Sequence, residues 1–318
     1  MMKRKWLLLV LSIILLGAVA ASWLYKKEEE SPKVVVVLKS LDSEYWKVVQ
    51  AGAEKAFHDF HVDGEVIAPQ SLYSISDQNH LLRSVLKQNP DALLFAPTHP
   101  SESIPVLEEY KKRNIPVLFV DTAADWGGET TFIGTENTVL GYKAGALLGT
   151  MLHPGEKAAL LHGDLSDPVS RDRISGAERA LKNVGIEITV NQRAYDVFWR
   201  RLPVMESILE WHPDVKGVFA TDDSLALDAL KAIEKKGLNI PVIGTDGMKE
   251  IVHYVKDETL GAALAQNPYD MGYIGVQQAL KAINGEVVSK RIDSGVDIIT
   301  KDNAEDKLEF LKKVLHLK

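Results

Sequence analysis

The chain reads as an α/β protein of two similar β/α domains with parallel sheets. Three observations predict this. After Pro32, short β-branched runs alternate with amphipathic helical segments nearly to the C-terminus. The runs are continuously apolar, as strands buried on both faces must be. Finally, three runs stop at a polar side chain: VFATDDSLALDAL (218–230) at Asp222, PVIGTDG (241–247) at Asp246 and GAALAQNPYDMGY (261–273) at Gln266. Ligands of open α/β sheets bind beyond the carboxyl ends of the strands, so these stops define a polar rim.

The first strand is KVVVVLK, 33–39. A helix follows over 44–60, where Trp46, Val49, Ala53, Ala56 and Phe60 recur at helical spacing. Strand 65–68, helix 76–88, strand 91–95 and helix 101–112 continue the alternation. The fourth strand, 116–120, ends at Asp121. A second unit begins near Thr135. Gly141, Gly145 and Gly149 share one face of its first helix, with Tyr142 and Lys143 between them. That pattern predicts a soluble helix packed closely on a sheet rather than a membrane dimer contact. Strand 157–162, helix 169–183, strand 186–190 and helix 202–211 lead to the three rim strings. Helix 268–283, an extended stretch at 296–300 and helix 303–315 close the chain.

A length of 318 residues suits two domains, and a formal net charge of −7 argues against a polyanion partner such as nucleic acid. The chain has no cysteine, which excludes disulfides, zinc–thiolate sites, thiol nucleophiles and a lipid-modified N-terminal cysteine. Lys3, Arg4 and Lys5 precede an apolar stretch over 6–24. Ala18-Val19-Ala20 offers a signal cleavage site, but the stretch outlasts the ~7–15 residues of a signal core, and roughly 20 apolar residues cross a bilayer. Residues 1–25 are therefore expected to form a membrane anchor, with a cleaved signal as the alternative, and 26–32 a charged linker. Either way the bulk of the chain is expected on the extracytoplasmic side of the cell membrane.

The scan for chemistry is mostly negative. There is no G-x-x-x-x-G-K-[ST] and no G-x-G-x-x-G after a strand, and the first strand leads into KSLDSEYW without a glycine. The nine histidines form no H-E-x-x-H pair, and no G-x-S-x-G elbow presents a serine. Neither cofactor nor metal is expected. What remains is a rim of acids, amides, arginines and aromatics. Tyr45 and Trp46 open the first helix, and at least one of two adjacent helical side chains should face the rim. Arg171 and Arg173 stand at a helix start, where a cation is unfavourable unless a ligand or an acid compensates it. Phe198 and Trp199 offer a second aromatic wall. Such a rim suits a polyol: charged and amide groups serve its hydroxyls, and rings cover its C–H face.

With these strings in view, the chain resembles the periplasmic sugar-binding proteins of the ribose- and galactose-binding type, relatives of the sensor domain of lactose-repressor-like regulators. The resemblance spans about 33–300 and rests on SLDSEYW, PVLFVDT, SRDRISGAERAL, HPDVKGVFATDDSLALDAL, PVIGTDG and AQNPYDMGYIG. No DNA-binding headpiece precedes it. The resemblance implies the type I periplasmic binding protein fold, with three hinge crossings and a ligand cleft between the domains. Crossings near Thr135, Asn267 and Gly295 divide the chain into lobes of 33–135 plus 268–294 and 136–267 plus 295–318. It implies ligand contacts by Tyr45, Trp46, Asp121, Arg171, Asp246 and Gln266. Ser43 and Asp222 stand where the ribose-binding relatives have asparagine, and Thr122 where they have arginine, which implies a more acidic pocket. Asp222 also stands where an N-cap belongs. Asp196, Phe198 and Trp199 align loosely with the opposing aromatic.

The expected function is capture of a monosaccharide or similar polyol by hinge closure, without catalysis. The expected partner is the membrane permease of an ATP-driven importer. A membrane histidine kinase that reads the closed form is the alternative, and a glycosidase-like enzyme a distant one.

Overall fold

Parallel strands carry both halves of the chain. The computed structural model describes residues 31–70, 75–195, 201 and 203–316. The expectations for residues 1–30 and for Asp196, Phe198 and Trp199 fall outside the described residues. In the first sheet β1 (Lys33–Val37) lies between β2 (Asp63–Ile67) and β3 (Ala92–Phe95). β4 (Val117–Val120), β5 (Thr131–Gly134) and β11 (Arg291–Asp293) extend it to six parallel strands in the order β2-β1-β3-β4-β5-β11.

Successive side chains of a strand point to opposite faces, and β1 shows it. Val34 and Val36 join α1 (Glu44–Phe60) and α9 (Pro268–Ile283) in one core. Val35 and Val37 join α2 (Ile75–Lys87) and α3 (Pro100–Lys112) in another.

The second sheet has the order β7-β6-β8-β9, again all parallel, from β6 (Lys157–His162), β7 (Glu187–Arg193), β8 (Val215–Ala220) and β9 (Val242–Ile243). Helices α4 (Asn137–Gly149) and α5 (Pro168–Asn183) cover one face. Helices α6 (Val204–Trp211), α7 (Asp223–Lys235), α8 (Lys249–Lys256) and α10 (Lys301–Val314) cover the other. β10 (Ala263–Gln266) pairs antiparallel with β12 (Val296–Ile299), and its Leu264 N–H reaches Gly244 O at 3.3 Å beside β9. The chain passes between the two layers after β5, after β10 and between β11 and β12. Among the described residues, no helix is long and apolar enough to cross a membrane.

Three elements escape the sequence pattern. β5 is a four-residue buried strand, β11 is the polar edge strand RID, and α8 is an eight-residue helix. The glycine stripe is refined as well: α4 packs on the sheet through Ala144 and Leu148, but its glycines face the helix α5. A Cβ at Gly141 would stand 2.0 Å from Arg173 O, and one at Gly145 2.6 Å from Ala177 O. Gly176 of α5 answers, its Cβ position lying 2.2 Å from Thr138 O. Only glycine permits so close a backbone approach. The first lobe repeats the device with Gly52 of α1 and Gly272 of α9, whose Cβ positions lie 2.0 Å from Tyr269 O and 2.1 Å from Val49 O.

Candidate ligand-binding cleft

The carboxyl ends of both sheets face one cleft of ≈ 1250 Å³. Lys39, Ser43, Trp46 and Thr98 line it from the first lobe, and Ser170, Arg173, Tyr195, Thr221 and Asp222 from the second. Ser43 is the N-cap of α1, but its side chain makes no capping bond. Trp46 is buried in the first core and turns its remaining surface to the cleft. Tyr45 meets it edge-on, with ring centroids 5.2 Å apart.

Behind Trp46 lies a polar layer that does not line the cleft. Asp121 has φ 64°, in the left-handed region, and Thr122 N–H bonds Val120 O at 2.7 Å across it. This tight turn ends β4 and stores backbone strain on the order of 1–3 kcal/mol. Asp121 then accepts from two hydroxyls: Tyr45 at 2.6 Å on Oδ1 and Thr122 at 2.7 Å on Oδ2. Burial, reinforced by the Asp121 charge, holds the Tyr45 hydroxyl well above its ordinary pKa, so the phenol keeps its proton and donates.

Lys39 stands directly after the first strand run. Its Nζ donates to Thr122 Oγ1 at 2.7 Å, lies 3.7 Å from Asp121 Oδ2 and sits 5.6 Å from the Trp46 ring centroid. The positive charge expected to be missing at Thr122 is thus restored by Lys39, two residues past β1. The charge balance read from Thr122 alone is corrected accordingly.

Of the two arginines at the start of α5, Arg173 reaches the cleft and Arg171 does not. Two helical positions differ by roughly 200° around the axis, so the two face opposite sides. Arg171 is exposed and bonds its neighbour Asp172 at 3.1 Å. Arg173 is 3% exposed. Its Nε donates to Asn137 Oδ1 at 2.8 Å, and its Nη1 reaches Thr221 O at 2.6 Å, Thr245 Oγ1 at 3.0 Å and Asp246 Oδ1 at 3.5 Å. Asp246 also accepts Gln266 Nε2 at 2.8 Å, while Gln266 Oε1 accepts Thr135 Oγ1 at 2.8 Å. Asp121, Thr122, Asp246 and Gln266 therefore form the base of the site rather than its wall.

Asp222 does reach the wall. It is the N-cap of α7, its Oδ1 accepting Leu225 N–H at 2.9 Å and the Tyr195 hydroxyl at 3.2 Å. Tyr195 was not anticipated, although it immediately precedes the aromatic segment singled out in the sequence. Asp223 was not anticipated either. It is 4% exposed and accepts Asp246 N–H at 3.0 Å and Met248 N–H at 2.8 Å. Burial, then the Asp246 charge, raises the Asp223 pKa.

The same two causes push Asp222 up to about 6. A carboxyl whose folded pKa exceeds its unfolded one costs stability once it ionises. The cost is absent below about pH 4 and complete above about pH 6. Asparagine caps a helix about as well and carries no charge. Asp222→Asn should therefore gain about 1–3 kcal/mol over wild type at pH 7, shrinking to nothing near pH 4. Urea denaturation across that range checks it, and a gap independent of pH would show that Asp222 does not titrate there.

Residues 34–287 match the family model described as a periplasmic binding protein domain. The ribose import binding protein RbsB of Bacillus subtilis is 29% identical over 306 residues, covering 94% of this chain and 99% of the relative. The D-allose-binding periplasmic protein of Escherichia coli is 25% identical over 258 residues, 78% of this chain and 83% of the relative. Among solved structures, GanP, a glucose-galactose binding protein from Geobacillus stearothermophilus, matches with a TM-score of 0.78 at 27% identity, covering 86% of this chain and 99% of its own. A periplasmic solute binding protein of an ABC transporter from Actinobacillus succinogenes, with bound D-allose, shares the fold with a TM-score of 0.80 at 24% identity, covering 87% of this chain and all of its own. Two parallel-sheet lobes, a cleft at their strand ends and the match over 34–287 together make this chain a member of the periplasmic binding protein family.

Proposed function

We propose that the cleft captures a monosaccharide or similar small polyol, that the lobes close over it, and that the closed form delivers it to the membrane permease of an ATP-driven importer. One observation carries this reading: a single cleft presents an indole, a guanidinium and a carboxylate from two lobes. The indole of Trp46 covers the C–H face of a sugar ring, Arg173 donates to its hydroxyls and Asp222 accepts from them. The relatives support it, being named for ribose, allose and glucose–galactose binding. All are named as binding proteins, in keeping with a chain that performs no catalysis.

The lobes are proposed to divide as 33–135 plus 268–294 and 136–267 plus 295–318. Strand membership of the two sheets supports that division. Tethering by residues 1–25 is likewise proposed, on the strength of the apolar stretch over 6–24 alone.

Calorimetric titration of D-ribose, D-allose, D-galactose and xylitol into the full-length protein tests the reading. At least one should bind, and Trp46→Ala should weaken that sugar by ~1–3 kcal/mol through lost apolar burial. A panel without binding would sink the sugar assignment. A fall in melting temperature at unchanged affinity would make Trp46 a core residue only.

A further inference from the structure

The base of the site is already occupied by the protein itself. Asp121 ends its strand where a ligand-facing acceptor is expected, yet each of its oxygens already accepts a hydroxyl of the chain itself. Tyr45 donates to one at 2.6 Å and Thr122 to the other at 2.7 Å, with Lys39 Nζ 3.7 Å from the second. The Tyr45 hydroxyl also lies 3.5 Å from Gln266 Oε1 and 3.5 Å from Met271 Sδ, so it sits in the angle between the Asp121 carboxylate and the hinge amide. Trp46 and Lys39, by contrast, line the cleft, while Tyr45, Asp121 and Gln266 do not.

We propose that the Tyr45 hydroxyl is a built-in stand-in for a sugar hydroxyl. It bonds Asp121 from behind Trp46 and so holds that carboxylate away from ligands that would place a hydroxyl there. Recognition then falls to the outer layer: Trp46, Lys39, Arg173, Tyr195 and Asp222. Lys39 has three ammonium protons and spends one on Thr122. Arg173 makes its bonds through Nε and Nη1, which leaves Nη2 for a ligand. The site's donors thus sit on the rim, and one of its carboxylates is withheld behind a phenol. This inference rests on the sugar-binding reading and sharpens it to the ligand's reach.

The test removes the hydroxyl and keeps the ring. D-Ribose, D-allose, D-galactose and xylitol are titrated calorimetrically into wild type, Tyr45→Phe and the double variant Tyr45→Phe/Asp121→Asn. A freed carboxyl acceptor should raise the affinity of Tyr45→Phe for at least one sugar about tenfold or more over wild type. Adding Asp121→Asn should erase that gain. Tyr45→Met, of similar reach and also without a hydroxyl, carries the same expectation should the phenylalanine variant fail to fold. If wild type binds a sugar and neither hydroxyl-free variant gains on any, the proposal is overturned and the phenol merely orients Asp121. If neither wild type nor the variants bind any sugar, the sugar reading itself fails, and this inference with it.

Discussion

Arg173→Met should lower affinity for the bound sugar by about 3 kcal/mol, roughly a hundredfold, while Arg171→Ala binds like wild type. The buried guanidinium has a carboxylate on one side and the cleft on the other, and methionine keeps only its length. Stability should fall too, because the substitution strips Asp246 and the Thr221 carbonyl of a buried donor; losing one partner of a buried pair costs on the order of 3–5 kcal/mol. Arg171 is exposed and, among the described residues, its side chain bonds its neighbour Asp172, so its removal should stay within about 0.5 kcal/mol. Calorimetry and urea denaturation on both variants decide the matter. A loss at Arg171 with none at Arg173 would mean that α5 is rotated from the phase described.

The second large effect concerns folding rather than binding. Gly176→Val should destabilise the protein by at least about 3 kcal/mol, because the new Cβ would meet backbone on α4: Thr138 O at 2.2 Å and Tyr142 N at 2.6 Å. No rotamer relieves a clash at Cβ, and the helices would have to part. Gly237→Ala makes the contrast. Nothing lies within 4 Å of its Cβ position, so its cost is confined to a φ of +67°. Thermal melts of the pair check the claim, and equal losses would show that the α4–α5 contact does not limit stability.

The fold was legible because buried parallel strands announce themselves as uninterrupted runs. Val34–Val37 and Leu93–Phe95 could scarcely be anything else, and both are fully buried. β11 was not legible: Arg291-Ile292-Asp293 has no apolar run, and only its pairing with β5 makes it a strand. Rim positions followed from strand ends, but the phase of a helix did not follow from a motif. The spacing could have given it. Arg173 precedes Ala177 by four residues and Leu181 by eight, and both are buried, so it shares their stripe. The Tyr45–Asp121 bond was beyond reach, since it joins residues 76 apart through a meeting of side chains that no local pattern encodes.

The three crossings bear on the order in which this chain can fold. The first lobe lacks one of the two helices that cover one face of its sheet until Pro268–Ile283 exists, and lacks its edge strand until Arg291–Asp293. The second lobe, begun at Asn137, waits for Val296–Ile299 and Lys301–Val314. The core that α9 shares with α1, and the one that α10 joins in the second lobe, can therefore not close until nearly all of the chain has been made, whereas the core of Val35, Val37, α2 and α3 needs nothing beyond residue 132. Domains that finish early in synthesis fold behind the ribosome one after another. Here each lobe keeps one core unfinished until residues past 268 arrive, and a chain not yet fully folded is the form a membrane pore can pass.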